Sequence, residues 1–382
     1  RRSSDLTWTT RADAYDTGGG YWYGPLSYWG SKAASLVPTS SSNVSIAVDL
    51  FDWASGSNPY FATTGTVEVK PASTSFGMTT YSAWFVINQN AQTVSGFNVG
   101  KPGNTAALNV SAAITANGPI NLYGGDISIT QSIGSTAAGA DILVKATGNI
   151  TSSGDLTHST NGGDITFWSD ADGSGGGYIY IQDRNLIDTR TTANRNSALI
   201  STASGGGTIT LGGGTASTTL ASGTVVPTGY AADNTAALPG GVTLGYFNAG
   251  HDSGLKFYSG GGDITLRGKS TTVWNGDTSG IAALEGLNMD AGTTGNITFD
   301  GVGGPSGSTY TSGIFLGYWG SSGNAASLLK TGNGNISLTG VGTGGTNNRG
   351  IIFCCTASKP ITLESTGSGT VSLTGSGSTY DF

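Results

Sequence analysis

The sequence predicts an all-β chain wound into a right-handed parallel β-helix, and three observations predict it. A strand-like motif, Gly-Asp/Asn-Ile-Thr/Ser-apolar, recurs along the chain, and over its middle part the copies fall about 22 residues apart. Within each copy apolar residues alternate with Ser, Thr and Asn, the period-two pattern of a strand with one buried face. Residues 1–80 also return, motif for motif, in residues 296–382.

The clearest copies are Gly125-Asp126-Ile127-Ser128-Ile129, Gly163-Asp164-Ile165-Thr166-Phe167 and Gly262-Asp263-Ile264-Thr265-Leu266, with looser ones at 140–144 and 207–211. Ile120 to Ile142, Ile165 to Ile187, Ile187 to Ile209 and Val242 to Ile264 are each 22 residues; Ile142 to Ile165 and Ile127 to Ile150 are 23. That is one turn of a three-sided solenoid, whose turns bury apolar side chains beneath the same positions of the next turn. The Gly ahead of each strand reads as a tight turn with positive φ, a corner that Asp or Asn also suits. Toward the C-terminus the rungs lengthen and carry Gly-rich loops. Ile264 to Ile281 and Ile297 to Ile314 are 17 residues and Ile336 to Ile351 is 15, which marks two strands per rung. Insertions at one corner are tolerated because closure cost grows slowly with loop length. About fourteen to seventeen rungs at β spacing give a rod on the order of 70–80 Å long. An antiparallel β-sandwich would instead show shorter, hairpin-linked spacings.

The duplication matches Asp5-Leu6-Thr7-Trp8 with Asn296-Ile297-Thr298-Phe299, and Gly20-Tyr21-Trp22-Tyr23 with Gly313-Ile314-Phe315-Leu316. Tyr28-Trp29-Gly30 matches Tyr318-Trp319-Gly320, and Ala33-Ala34-Ser35-Leu36 matches Ala325-Ala326-Ser327-Leu328. Asn43-Val44-Ser45-Ile46 matches Asn335-Ile336-Ser337-Leu338, and Gly65-Thr66-Val67 matches Gly369-Thr370-Val371. Tyr28 to Tyr318 is 290 residues and Asn43 to Asn335 is 292. The chain therefore reads as one continuous solenoid, 1–382, holding one long repeat of about 290 residues plus an overlap, as a tandem array does.

Composition agrees. The chain has 65 Gly, yet its apolar fraction of 36% is too high, and its charged fraction of 10% too low, for a disordered segment. Gly and Thr disfavour long helices. The net charge of −7 is spread thinly, with no basic stripe to neutralise phosphates, so no nucleic-acid partner is expected. No apolar run is long enough to span a bilayer. Lacking an initiator Met, and with no apolar stretch behind Arg1-Arg2, the chain is read as a processed or excised segment. Cys354 and Cys355 are adjacent and in a strand point to opposite faces, so neither a disulfide framework nor a metal knuckle is expected.

Candidate sites are sparse. Trp168-Ser169-Asp170-Ala171-Asp172-Gly173 has the look of a calcium loop, but Trp168 and Ile179 stand where ligands would be needed, and a solvated corner loop is the better reading. Charge is densest at Asp183, Arg184, Asp188, Arg190 and Arg195. With Asp164 and Asp188 on neighbouring rungs, these carboxylates are the candidates for acid–base work on a glycan, against charged corner loops. His158 and His251 share no motif, and the run from Gly262 to Lys269-Ser270 is one residue too long for a phosphate loop. No catalytic, cofactor-binding or metal residue is assigned. Asn43, Asn109, Asn149, Asn296 and Asn335 each head an Asn-x-Ser/Thr triplet, and such residues stacked on successive rungs form hydrogen-bonded ladders rather than mark glycosylation. Trp8, Trp22, Trp29, Trp53 and Trp84 cluster early; Trp8 and Trp22 are expected in the core, and Tyr28-Trp29 and Tyr318-Trp319 exposed.

The runs 118–127, 140–144, 148–151 and 163–170, with the Gly-Asn-Ile-Ser-Leu-Thr-Gly copies, resemble filamentous-haemagglutinin-like adhesins and related large β-strand-repeat surface proteins of bacteria. The resemblance covers the chain from about residue 95 onward, and the earlier part through the duplication. It implies export from a Gram-negative cell, a β-helical shaft and an adhesive or matrix role. The expected function is thus a structural repeat unit of an extracellular fibre or giant adhesin, with no enzyme activity and no cofactor. Its partner would be further copies of itself, with surface glycans or a host or abiotic surface as a second class. A glycan-active lyase or hydrolase and a carbohydrate-binding module are the alternatives.

Overall fold

The structure, a computed structural model, describes residues 6–9, 35–36, 41, 43–50, 60–61, 63–82, 86–87, 94–182, 185–192, 205–245, 255–274, 277–284, 286–305, 307–317, 326–354 and 360–377. Thirty-four strands occupy these residues. The first twelve are β1 (Leu6–Thr9), β2 (Ser35–Leu36), β3 (Val44–Ala47), β4 (Tyr60–Phe61), β5 (Thr66–Lys70), β6 (Thr80–Tyr81), β7 (Val86–Ile87), β8 (Gly96–Val99), β9 (Leu108–Val110), β10 (Ile114–Ala116), β11 (Ile120–Gly124) and β12 (Ile127–Ile129). The middle of the chain holds β13 (Ile133–Ala138), β14 (Ile142–Ala146), β15 (Ile150–Ser152), β16 (Thr157–Asn161), β17 (Ile165–Ser169), β18 (Ile179–Ile181), β19 (Leu186–Asp188), β20 (Ile209–Thr219), β21 (Val225–Gly229), β22 (Ala231–Ala232) and β23 (Gly240–Leu244). Last come β24 (Leu255–Tyr258), β25 (Ile264–Lys269), β26 (Asp277–Ala283), β27 (Leu287–Asp290), β28 (Ile297–Val302), β29 (Tyr310–Gly317), β30 (Ser327–Thr331), β31 (Ile336–Val341), β32 (Asn347–Cys354), β33 (Ile361–Ser365) and β34 (Val371–Ser376).

These strands build a parallel β-helix. Face I runs β1-β3-β5-β8-β11-β14-β17-β20-β25-β28-β31-β34, face II from β6 and β9 to β32, and face III from β10 to β33. From β8 onward the chain visits faces I, II and III in turn. β2, β4 and β7 form a separate parallel sheet, and β21 pairs antiparallel with β20.

Register explains the motif. On face I, Ile120, Ile142, Ile165, Ile209, Ile264, Ile297, Ile336 and Val371 stack one on the next. Leu122, Val144, Phe167, Leu211, Leu266, Phe299, Leu338 and Leu373 form the second inward column. The inward side chains of all three faces merge into one continuous core. Each buried Ile, Leu or Phe there is worth about 1.5–3 kcal/mol.

Two readings of spacing need correction. Ile187 lies on face III between His158 and Phe257, and Val242 on face II between Ile179 and Ile281. The 22-residue steps through Ile187, and from Val242 to Ile264, therefore cross from face to face. All three faces offer an apolar β-branched residue at the inward position, and spacing alone does not separate them. Along face I the rung from Ile165 to Ile209 takes 44 residues and the next, to Ile264, takes 55. Among the described residues face I consequently holds twelve stacked strands, fewer than fourteen to seventeen rungs. The C-terminal rungs also carry a third strand, β27, β30 and β33, whose Met289, Leu329 and Leu363 line the core.

The first Gly of the Gly-Gly-Asp copies at 162–164 and 261–263 takes positive φ, 84° at Gly162 and 116° at Gly261, whereas the Gly directly before Asp or Asn serves close approach. A Cβ on Gly207 would lie 2.1 Å from the Gly163 carbonyl oxygen, one on Gly262 2.3 Å from that of Gly207, and one on Gly295 2.0 Å from that of Gly262. Gly334 and Gly369 continue this column. Successive rungs touch backbone to backbone at this corner, and any side chain would wedge them apart.

Candidate functional site

The residue after each corner Gly carries the second signal. Asp141 Oδ1 accepts the Asp164 N–H (2.8 Å), and Asp164 Oδ1 accepts the Thr208 N–H (2.6 Å). Asp263 accepts the Asn296 N–H, Asn296 that of Asn335, and Asn335 those of the Thr370 backbone and hydroxyl, at 2.8–2.9 Å. Asn43 likewise accepts from the backbone and hydroxyl of Thr66. At the entrance to face II, Asp126, Asn149 and Tyr178 repeat the arrangement. These are the ladders expected of the triplets at Asn43, Asn149, Asn296 and Asn335, whose side chains are spent on the neighbouring rung; Asn109 instead lies mid-strand in β9, between Tyr81 and Ser128.

Of the charged cluster, Asp188 and Arg190 neutralise each other. Asp188 and Arg190 form a two-pronged pair on face III, Nε to Oδ1 at 2.9 Å and Nη2 to Oδ2 at 2.8 Å, with both side chains buried. The guanidinium lies 4.6 Å from the centroid of the Tyr258 ring. Down the same outward column follow Tyr258, Asp290, Lys330 and Glu364. Burial pushes the Asp290 carboxyl above the usual carboxylate range. Asp164 heads β17 on face I, and its two carboxylate oxygens accept from Thr208 N–H and Ser222 Oγ, whereas Asp188 is held by Arg190 on face III. Asp183, Arg184, Arg195 and His251 lie outside the described residues.

The Asp164 carboxylate instead receives a strap. β20 runs past its place in face I and turns back as the β20–β21 hairpin. At its tip Ser222 Oγ donates to Asp164 Oδ2 (2.7 Å) and Thr224 Oγ1 to Asp141 Oδ2 (2.8 Å). Burial raises the Asp141 carboxyl above its ordinary range, while its hydrogen bonds pull it back down. Near the hairpin base, Trp168 Nε1 donates to the Gly214 carbonyl (2.7 Å), and Lys145 Nζ sits 3.4 Å from the centroid of the indole ring. Trp168 is thus a buried strand residue and not the opening of a loop. The sequence hid the hairpin because its Thr, Ser and Gly resemble those of every corner; the extra length between Ile165 and Ile264 was the available signal.

The remaining candidates resolve as follows. Asp170 takes φ 49° and its Oδ1 accepts from Gly175 and Gly176 N–H, while Asp172 accepts from Ser174 N–H. That carboxylate faces donors, the environment of a capped corner loop. Among the described residues no group of three His, Cys, Asp or Glu converges as metal ligands would. Ile264 to Lys269 is a core strand, so the phosphate-loop likeness falls away. Phe299, the match of Trp8, is in the core, whereas Phe315, the match of Trp22, packs outside face II with Ala282, Leu284 and Ile352. Trp22, Trp29, Trp53, Trp84, Tyr28, Tyr318, Trp319 and Cys355 lie outside the described residues; Cys354 is exposed at the end of β32. A shallow groove of about 260 Å³ on face III is lined by Thr115, Gly134, Thr157, Ser159 and Asn161, with no charged or aromatic side chain.

His158 is a feature that composition did not foretell. Its ring is fully buried on face III, and Nε2 lies 2.9 Å from Ser152 Oγ. Asn185 Nδ2 donates to the Gly154 and Gln182 carbonyls, which leaves its Oδ1 to accept from Ser152 Oγ (2.8 Å). The serine proton is thereby committed, so His158 carries its proton on Nε2 and donates. Nδ1 is left buried without a partner. Burial drives the imidazole pKa down to about 4.

No family model, characterised protein or solved structure matches this chain.

Proposed function

We propose that the chain is a structural repeat unit of an extracellular bacterial fibre or giant adhesin, its work mechanical and its partner further copies of itself. One observation carries this reading. The duplicated segments occupy the same architectural stations: β1, β3 and β5 are consecutive on face I, and so are their matches β28, β31 and β34. Thr66 and Thr370 even close equivalent side-chain ladders. The likeness of the motifs to filamentous-haemagglutinin-like surface proteins supports an outer-surface location on a Gram-negative cell, in adhesion or a biofilm matrix. The Asp188–Arg190 pair, the ladder carboxylates and the strap favour a shaft over a catalytic groove.

Between β1 and β28 face I advances nine strands among the described residues, so one repeat corresponds to nine rungs. Electron microscopy of native material should show thin fibres with an axial repeat of about 43 Å, nine rungs at β spacing. Discrete particles of single-chain size would overturn the reading and bring a glycan-active enzyme or carbohydrate-binding module forward.

A further inference from the structure

We infer that the outer edge of the β20–β21 hairpin is a docking strand for a second copy of this chain, the two β20 strands pairing antiparallel about a two-fold axis at Thr218. The contact lies between rods side by side and stands apart from the end-to-end array proposed above.

The hairpin turns one edge inward and one outward. On β21, Val226 and Pro227 are buried. Pro227 packs over Gly212, where an added Cβ would lie 3.2 Å from the proline ring, and its carbonyl accepts from Arg267 Nη1 (3.4 Å). On β20, Thr215 to Thr219 are all exposed. Leu220 N–H donates to the Thr224 carbonyl (2.8 Å), and Thr219, Thr218 and Ser217 then stand opposite Val225, Val226 and Pro227. Antiparallel strands exchange hydrogen bonds only at every second pair. Leu220 and Thr218 therefore address β21, while Ser217 and Thr219 direct their N–H and C=O groups away from it. Among the described residues no other strand pairs with this edge.

Backbone groups left in line on an exposed edge are a template for a further strand, and edges that must stay single carry Pro or charge. The hairpin guards its β21 edge in that way, with Pro227 and the Arg267 guanidinium. Its β20 edge, Thr215-Ala216-Ser217-Thr218-Thr219, has neither.

The chemistry of that edge selects a second copy. No Asp, Glu, Lys or Arg stands between Ile209 and Ala232, in a chain of net charge −7, so two copies approach here without local repulsion. The edge is also self-complementary. With Thr218 facing its own copy on the axis, Ser217 falls opposite Thr219 of the second chain, and Thr219 opposite Ser217. Every outward N–H and C=O of the four residues then meets its counterpart. Thr–Thr and Ser–Thr neighbours across strands add favourable hydroxyl contacts.

Cross-linking of the full chain, in a Cys354→Ser, Cys355→Ser background and a glutathione buffer, tests the contact and its register. Thr218→Cys places two thiols at the non-bonded pair on the axis, where antiparallel Cα atoms stand about 4.5 Å apart, within disulfide reach. Ala216→Cys lies on the same face of the strand, but in this register its two copies are about 14 Å apart. Adding Thr219→Pro to Thr218→Cys removes an outward N–H and no bond to β21. We expect the Thr218→Cys chain to form disulfide-linked dimers about tenfold or more over the Ala216→Cys chain, because a docked pair raises the effective thiol concentration. Thr219→Pro should bring the yield down to the Ala216→Cys level. In the unmodified chain, amide exchange at Ser217 and Thr219 should slow as protein concentration rises, with Thr218 unchanged. Equal cross-linking at positions 216 and 218, a Thr219→Pro chain that cross-links undiminished, or exchange independent of concentration would each overturn the inference. The cross-link forms between single chains, so failure to find fibres leaves it untouched. Fibres that lie singly, from chains that do not cross-link, would remove this contact and leave the array reading standing.

Discussion

His158 concentrates the chemistry of single residues. It replaces an aliphatic residue in the inward column between Ile133 and Ile187, and its Nδ1 has no partner. The folded pKa of about 4 lies below the ordinary imidazole value of 6.5, so between these limits the unfolded chain binds the proton more readily. Stability is therefore full above pH 6.5 and is lost as pH falls toward 4, by about 3 kcal/mol from this group. Denaturant midpoints across that window should show the loss, and His158→Ile should flatten it; an unchanged slope in the variant would assign the acid sensitivity elsewhere. No pattern in the sequence marked His158 as a core residue, because the motif around it is degenerate and its partner Ser152 comes from face II. The corner glycines were visible as a motif, but their reason was not. Positive φ and backbone contact both demand Gly, and only the positions of the neighbouring rungs tell them apart.

Among the elements, the β20–β21 hairpin has the least support from the core. Two hydroxyl–carboxylate bonds at its tip and Trp168 near its base hold it against face I. Each tip bond to a charged acceptor is worth about 1.5–3 kcal/mol, enough to decide whether the strap lies down. Ser222→Ala with Thr224→Ala should free the tip, raise accessibility of Trp168 to a soluble quencher, and leave the main unfolding transition within about 1 kcal/mol. A large loss of global stability would mean that the strap is part of the core. The regular strands were legible from period-two patterning wherever Gly-Asp-Ile or Gly-Asn-Ile begins them. Face III was the hardest to read: its strands start with Thr157, Leu186 or Ser327 and lack that signature.

At the scale of the whole molecule, the strap reaches back two rungs to Asp141; elsewhere each rung stacks on its neighbours, so stability is largely a sum of rung terms and nearest-neighbour terms. Amide exchange should be slowest in the central rungs of β14, β17 and β25 and quicken toward β34, whose side chains are exposed. Uniform protection along the rod would contradict this, as would slowest exchange at β34. The overall architecture was readable because a solenoid repeats its instructions. Rung count was not, since two long turns imitate shorter rungs.

The corner ladders give the rod a direction. Each Asp or Asn side chain accepts from the rung that follows it and asks nothing of the rung before except an acceptor of its own. A finished turn therefore holds out a waiting carbonyl to whichever segment arrives next. A polypeptide delivered N-terminus first, through a ribosome or any narrow exit, can settle turn upon turn in order of arrival, each new one templated by its predecessor and none obliged to wait for the far end.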